Sequence, residues 1–257
     1  MSNIEILQLS VLEDNYVYLI HEPVSGVTAA VDPAVAAPVL EALNERGWKL
    51  DFILNTHHHA DHTDGNLELK RITGCQVIGL AGDAERIPGI DRVVADNDSV
   101  AIGEATARVL AVPGHTRGHA AWWFEDEHAL FCGDTLFALG CGRLFEGDAE
   151  QMWQSLDRLR RLPPETHVYC AHEYTEANAR FALTLEAENP ELQGRARQVD
   201  RLRRQGLPTV PSTLGDELAT NPFLRPESAE IRAHLGLDAD AGDAKVFAAV
   251  RSLKDCF

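Results

Sequence analysis

The sequence predicts a mixed α/β domain over residues 1–172 followed by an all-helical domain over residues 173–257. Three observations lead there. Up to His172, short apolar runs rich in β-branched or aromatic residues alternate with helix-like segments; beyond it helical periodicity takes over; and several of the early runs end within a few residues of a histidine or aspartate.

In chain order, "YVYLI" (16–20), "TAAVD" (28–32), "DFILNT" (51–56), "QVIGL" (76–80), "ARVLAV" (107–112), "HALFCGD" (128–134) and "HVYCAH" (167–172) read as strands. "AAPVLEALNERG" (36–47) and "AEQMWQSLDRLRRL" (149–162) read as helices, from apolar residues three and four apart, with Gly47 as a C-terminal cap after the first. In the second part, "EANARFALTLEAE", "PELQGRARQVDRLRRQ", "PESAEIRAHL" and "AKVFAAVRSL" carry helical spacing, whereas "GLPTVPSTLGDELATNPFLRP" (206–226), dense in Pro, Gly and Thr, reads as an irregular connection. No short-period repeat points to a solenoid.

Composition narrows the function classes. A chain of 257 residues with 45% hydrophobic and 25% charged residues fits a soluble globular fold, and no apolar run approaches the length of a membrane helix. The opening stretch lacks the pattern of a secretory or transit segment, so a cytoplasmic location is expected. The five cysteines include no C-x-x-C pair and argue against a disulfide framework. A formal net charge of -17 repels nucleic acid and anionic membrane, so neither is an expected partner. An anionic substrate would then need a local basic patch or a bound cation.

The chemistry concentrates in "NTHHHADH" (55–62), on the loop after "DFILN". His57 and His59, two apart, can meet one cation, and Asp61 with His62 a second; His58 points the other way by alternation. His115 after "ARVLAVPG", Asp134 closing "ALFCGD" and His172 closing "VYCA" sit at further strand ends, where sites gather in α/β folds. A fortuitous polyhistidine patch does not account for the cluster, which is internal, interrupted by Asp61 and preceded by a strand. His57, His59, Asp61, His62, His115, Asp134 and His172 exceed the needs of one tetrahedral zinc and suit two divalent ions sharing a carboxylate and a water. Zinc leads, with iron or manganese also suited to imidazole and carboxylate. Asp32 is expected to orient a histidine, and His119 to lie near the site without ligating. A scaffold in which the ions only tie loops together fits less well, since a structural zinc leaves no open position.

T-H-x-H-x-D-H at 56–62, G-H-T-x-G-H at 114–119, "CGD" at 132–134 and "CAHEYT" at 170–175 resemble the metallo-β-lactamase superfamily. That resemblance implies an αββα sandwich, here with a C-terminal all-helical domain. "GCGRLFEG" (140–147), "HEYTEANARFA" (172–182), "NPFLR" (221–225) and "RSLKD" (251–255) are similar to the hydroxyacylglutathione hydrolases, the glyoxalase II family, over nearly the whole chain.

Membership would imply hydrolysis of S-D-lactoylglutathione, a small-molecule glutathione thioester, to glutathione and D-lactate, the second step of methylglyoxal detoxification; a monomer is expected. Membership also implies His57, His59 and His115 on one ion, Asp61, His62 and His172 on the other, and Asp134 bridging, with the shared hydroxide as nucleophile. Arg143, Tyr174, Arg251 and Lys254 would contact glutathione, alongside the backbone of 141–145. Phe145 stands where some members have Tyr, and Arg143 where some have Lys. A lactonase or other esterase on the same fold is the alternative; a mononuclear dioxygenase is disfavoured by the second donor set, and a β-lactamase by the long helical tail.

Overall fold

A computed structural model describes residues 4–257. In its first part β1 (Glu5–Val11), β2 (Asn15–Glu22), β3 (Val27–Val31), α1 (Ala36–Arg46), β4 (Phe52–Leu54), α2 (Ala60–Thr63), α3 (Asn66–Thr73), β5 (Gln76–Leu80) and β6 (Ile90–Val94) follow in order. The strands form one sheet in sequence order, with β1 to β3 antiparallel and β3 to β6 parallel. Parallel neighbours need a crossover, and α1 supplies the one between β3 and β4. Gly47 ends α1 in the left-handed conformation at φ 68°, returning its N–H to Asn44 and Leu43 carbonyls, which is the expected cap.

A second sheet is built from β7 (Ser99–Ile102), β8 (Ala105–Ala111), β9 (Ala120–Phe124) and β10 (Ala129–Gly133), antiparallel throughout. Strand β2 is buried on both faces, and its period of two sorts its side chains between two environments. Val17 and Leu19 join the core made with Val39 and Leu43 of α1 and Leu69 of α3. Tyr18, on the opposite face, meets Phe131 of β10 edge-on at 5.4 Å, so the interior between the sheets is aromatic.

The chain divides into two compact units. One runs up to Val112 and includes Arg117–Gly133; the other comprises Pro113–Thr116 and Asp134–Phe257. The second contains the hairpin β11 (Leu136–Phe137) and β12 (Gly140–Cys141), then α4 (Ala149–Leu159), β13 (His167–Cys170), α5 (Thr175–Leu185), α6 (Pro190–Arg204), β14 (Ser212–Thr213), α7 (Leu214–Thr220), α8 (Ala229–His234) and α9 (Asp243–Cys256). Leu139 packs with Ala179 and Ala182 of α5 and Leu192 of α6.

The stretch 206–226 departs from the sequence expectation. It is not irregular: β14 pairs with β13, α7 follows at once, and Pro222–Leu224 makes a 3-10 turn. A reciprocal cap explains the helix, because Thr213 Oγ1 accepts from the Asp216 N–H while the Asp216 carboxylate accepts from the Thr213 N–H. Flanking prolines and the shortness of α7 mask that signal in the sequence.

Candidate metal centre

In the first unit, parallel pairing of β3 and β4 sets their carboxyl ends side by side, so Asp32 faces the loop that begins at Asn55. Asp32 Oδ1 accepts the Thr56 N–H at 2.7 Å; Oδ2 accepts Thr56 Oγ1 at 2.6 Å and lies 3.0 Å from His62 Nδ1. That contact fixes the proton on Nδ1 and leaves the Nε2 lone pair for a ligand role. Asn55, fully buried, holds the carbonyl of His62 through its amide at 3.0 Å. Asn15 reaches Asp61 twice, donating to Oδ2 and to the backbone carbonyl, each at 3.1 Å.

With the loop held this way, His57 Nε2 and His59 Nδ1 come to 3.0 Å of each other, and His62 Nε2 to 3.5 Å of Asp61 Oδ2. His58 is turned aside as alternation predicts. Its Nδ1 lies 2.9 Å from the buried Asp83, whose other oxygen takes Arg86, while Arg86 lies 3.3 Å from His58 Nε2. The ring of His119 stacks on that of His57 at 4.7 Å and 19°. Gly133, at φ 49°, leaves room for both, since a Cβ there would lie 2.3 Å from Thr56 Oγ1 and 2.9 Å from His119.

In the second unit, Asp134 presents one oxygen to each of two imidazoles: Oδ2 lies 3.4 Å from His115 Nε2, and Oδ1 3.4 Å from His172 Nε2. His115 Nδ1 donates to the Arg143 carbonyl at 2.8 Å, which again leaves Nε2 as the lone-pair nitrogen. Tyr174 lies parallel to His172 at 4.8 Å and 2°, and Phe145 meets His115 edge-on at 5.1 Å. Both aromatic rings are exposed, at 38% and 55%, so two apolar faces are offered beside the donors.

The donor chemistry fits divalent metal. Ligands about 2.0 to 2.1 Å from a tetrahedral ion lie roughly 3.3 Å from one another. Each unit holds its nitrogens and carboxylate oxygens near that spacing before any ion is considered. A carboxylate that faces different histidines with its two oxygens has the arrangement of a bridge.

The remaining expected contacts lie in the second unit. The Arg143 guanidinium sits 4.9 Å over the Phe145 ring. Arg251, buried at 5% exposure, donates to the Cys141 carbonyl at 3.0 Å and pairs with Asp255 at 2.8 Å. Lys254 lies 5.1 Å from the rings of both Phe181 and Phe257. Burial, then the positive charges of Arg251 and Arg180, lowers its pKa below the ordinary lysine value. Burial pushes the Cys141 thiol up to about 11 and that of Cys170 to about 12, so neither offers a thiolate ligand at neutral pH.

Sequence reasoning missed Asn15, Asn55 and Asp83. Asp83 had a signal, because it follows β5, another parallel strand of the same sheet, at its carboxyl end. Asn15 and Asn55 had none beyond their proximity to strands.

Residues 16–172 match the metallo-beta-lactamase superfamily, and residues 173–257 match the hydroxyacylglutathione hydrolase C-terminus. A hydroxyacylglutathione hydrolase of Methylococcus capsulatus is 67% identical over 254 residues, covering 99% of each chain. One from Rhodospirillum rubrum is 55% identical over 257 residues, covering all of both. Among solved structures, ETHE1 from Myxococcus xanthus superposes with a TM-score of 0.67 at 28% identity, covering 98% of this chain and 99% of that one. TTHA1623 in a di-iron-bound form gives 0.61 at 25% identity, covering 86% of this chain and 100% of that one.

Proposed function

We propose, from the premise that this chain belongs to the hydroxyacylglutathione hydrolase family on the metallo-β-lactamase fold, that it hydrolyses S-D-lactoylglutathione to glutathione and D-lactate. It is a metal-dependent thioester hydrolase. What carries the reading is the match of the helical part, 173–257, to that one family, because the donor motif alone sits on a fold that hosts many reactions. The functional division is taken at 172/173, with donors before it and most glutathione contacts after it.

In this reading His57, His59 and His115 would hold one ion, Asp61, His62 and His172 a second, and both would share Asp134. Zinc is the proposed metal, with iron next, as the di-iron neighbour supports. Bound there, two divalent ions would supply a water acidified to near neutral pH and a Lewis acid for the thioester carbonyl oxygen.

The chain's own residues do the rest. Asp32 and the Arg143 carbonyl keep the protons of His62 and His115 on Nδ1, so Nε2 carries the lone pair on both. Arg143 and Lys254 bring cations to a chain of net charge -17 that must receive glutathione's carboxylates. Tyr174 and Phe145 flank the reacting group with apolar faces. Phe145 donates no hydrogen bond, so glutathione is held there by contact and by the neighbouring backbone. The leaving thiol has a pKa near 8.5, so the thiolate departs without a proton donor and no side chain has to act as general acid.

The test is loss of the thioester absorbance when metal-replete protein meets S-D-lactoylglutathione. Turnover should vanish on chelation and return with metal, and metal analysis should give two ions per chain. Asp134→Ala should abolish turnover. Failure on the thioester with turnover of a lactone would move the protein to another esterase of this fold. We further propose a cytoplasmic monomer; no helix among the described residues is long and apolar enough to cross a membrane.

A further inference from the structure

We propose that Glu217, on α7, is a positioning residue that clamps the hairpin lying between Asp134 and Arg143. Its carboxylate is fully buried. Oε1 accepts from Arg195 and from Ser212 Oγ, the latter at 2.6 Å. Oε2 accepts the backbone N–H of Leu139 at 2.8 Å and the Asn221 amide at 3.0 Å. Leu139 is the turn residue of the hairpin and stands at φ 59°, a conformation that a leucine holds only when its surroundings impose it.

The rest of the turn is held in the same manner. Asn221 Nδ2 lies within 3.1 Å of the carbonyls of Phe137 and Gly140, and Asn178 Nδ2 donates to that of Ala138 at 3.1 Å. A Cβ at Gly140 would lie 2.4 Å from the Asn178 amide, so the hairpin is seated directly on these side chains. A tip whose polar groups point outward would ordinarily be solvated and mobile; here buried side chains of α5 and α7, and Asn221 just after α7, take water's place.

What the clamp holds is the route from Asp134 to the glutathione contacts. Phe137 on the first strand meets the rings of His172 and Tyr174 edge-on, at 5.9 and 5.4 Å. The second strand ends at Cys141, whose carbonyl takes Arg251, and leads on to Arg143, whose carbonyl orients His115. Arg195 neutralises the carboxylate and, with the Ser212 hydroxyl, fixes Oε1, while Oε2 is left to Leu139 and Asn221, so an ionised carboxylate accepts from all four donors at once. Glu217→Gln presents an N–H2 group where N–H donors already point.

The kinetic arm of the test rests on the thioesterase reading; a hydrogen-exchange arm does not. In metal-loaded Glu217→Gln, KM for S-D-lactoylglutathione should rise at least fivefold, with kcat within twofold and metal content unchanged. Backbone exchange in the peptide spanning 136–143 should quicken at least tenfold, while peptides from α8 and α9 keep their wild-type rates. Ser212→Ala, which takes one donor from Glu217 Oε1 and leaves the Asn221 and Asn178 contacts to the hairpin in place, should give the same pattern in smaller measure and serves if the glutamine variant does not fold. A merely structural role would lower kcat per total protein with KM unmoved, and that result overturns the proposal, as does wild-type exchange over 136–143 in either folded variant. Wild-type protein inactive on the thioester would count against the activity and leave exchange to decide.

Discussion

Asp32→Asn isolates what one charge contributes to the first donor set, because asparagine keeps the shape of aspartate and tolerates the φ of 50° found there. The carboxylate serves two sides: Oδ1 takes the Thr56 N–H at 2.7 Å, and Oδ2 takes Thr56 Oγ1 at 2.6 Å and faces His62 Nδ1 at 3.0 Å. An amide serves only one. With its oxygen on Thr56, its N–H2 faces Nδ1, the imidazole proton shifts to Nε2, and the nitrogen beside Asp61 loses its ligand lone pair. With the amide turned, N–H2 meets the Thr56 N–H and a buried donor goes unsatisfied, which costs about 1 to 3 kcal/mol. At about 1.4 kcal/mol per decade this is roughly a 5- to 150-fold loss, which brackets the about 10- to 100-fold typical of a lost partner to a metal-bound imidazole. Competition with a chromogenic chelator should show one ion weakened by this factor and the other unchanged, with the thermal midpoint little moved. Wild-type affinity for both ions in Asp32→Asn would refute the claim that this carboxylate sets the His62 tautomer.

Arg251→Ala removes the donor to the Cys141 carbonyl and should raise KM at least tenfold with kcat nearly kept; steady-state kinetics decides, and an unchanged KM rejects the assignment. Glu22 is held at about 2, against 4.5 ordinarily, first by the Ser25 hydroxyl and then by the Val24 N–H, with burial opposing. Its folded pKa is depressed, so its contribution to stability is complete above about 4.5 and disappears as pH falls towards about 2. The gap in thermal midpoint between wild type and Glu22→Gln should therefore be widest above pH 5 and close on acidification; a pH-independent gap would be the wrong result. Iodoacetamide at pH 8 should label Cys256, which is exposed, and reach Cys75, Cys132, Cys141 and Cys170 only after unfolding, as intact-mass measurement can show.

The donors were legible in the sequence because they are dense and local. A run such as "HHHADH" after an apolar strand has few other uses, and His115, Asp134 and His172 each close a run that reads as a strand. Strand β2 was legible from its apolar, aromatic composition, and α1 from its spacing and Gly47. Less was visible where elements are short or lightly apolar: β7 has four residues, and α3, "NLELKRIT", buries only Asn66 and Leu69. The helix α7 hid behind prolines, although Thr213 and Asp216 stand at the spacing of a capping box.

What orients the donors was illegible for a different physical reason. Asn15 and Asp61 are 46 positions apart, Asp32 and His62 30, and Leu139 and Glu217 78. No periodicity links such residues; they meet only because strands pair in a particular order or helices pack on a particular turn. A ligand is recognised by its own chemistry, whereas an orienting residue is an ordinary Asp, Asn or Glu whose role comes wholly from its neighbours. Saturation by donors marks one kind of carboxylate: Asp32, Asp83 and Glu217, nearly or fully buried, take N–H and O–H donors, which commits their oxygens to holding the chain. Asp61 stays 43% exposed in its side chain, with an oxygen near an imidazole nitrogen, and that is the condition under which a carboxylate can still take a cation. Substitutions at the saturated group should therefore alter how tightly and in what geometry metal or substrate is held, while those at Asp61 or Asp134 should remove an ion or the reaction itself.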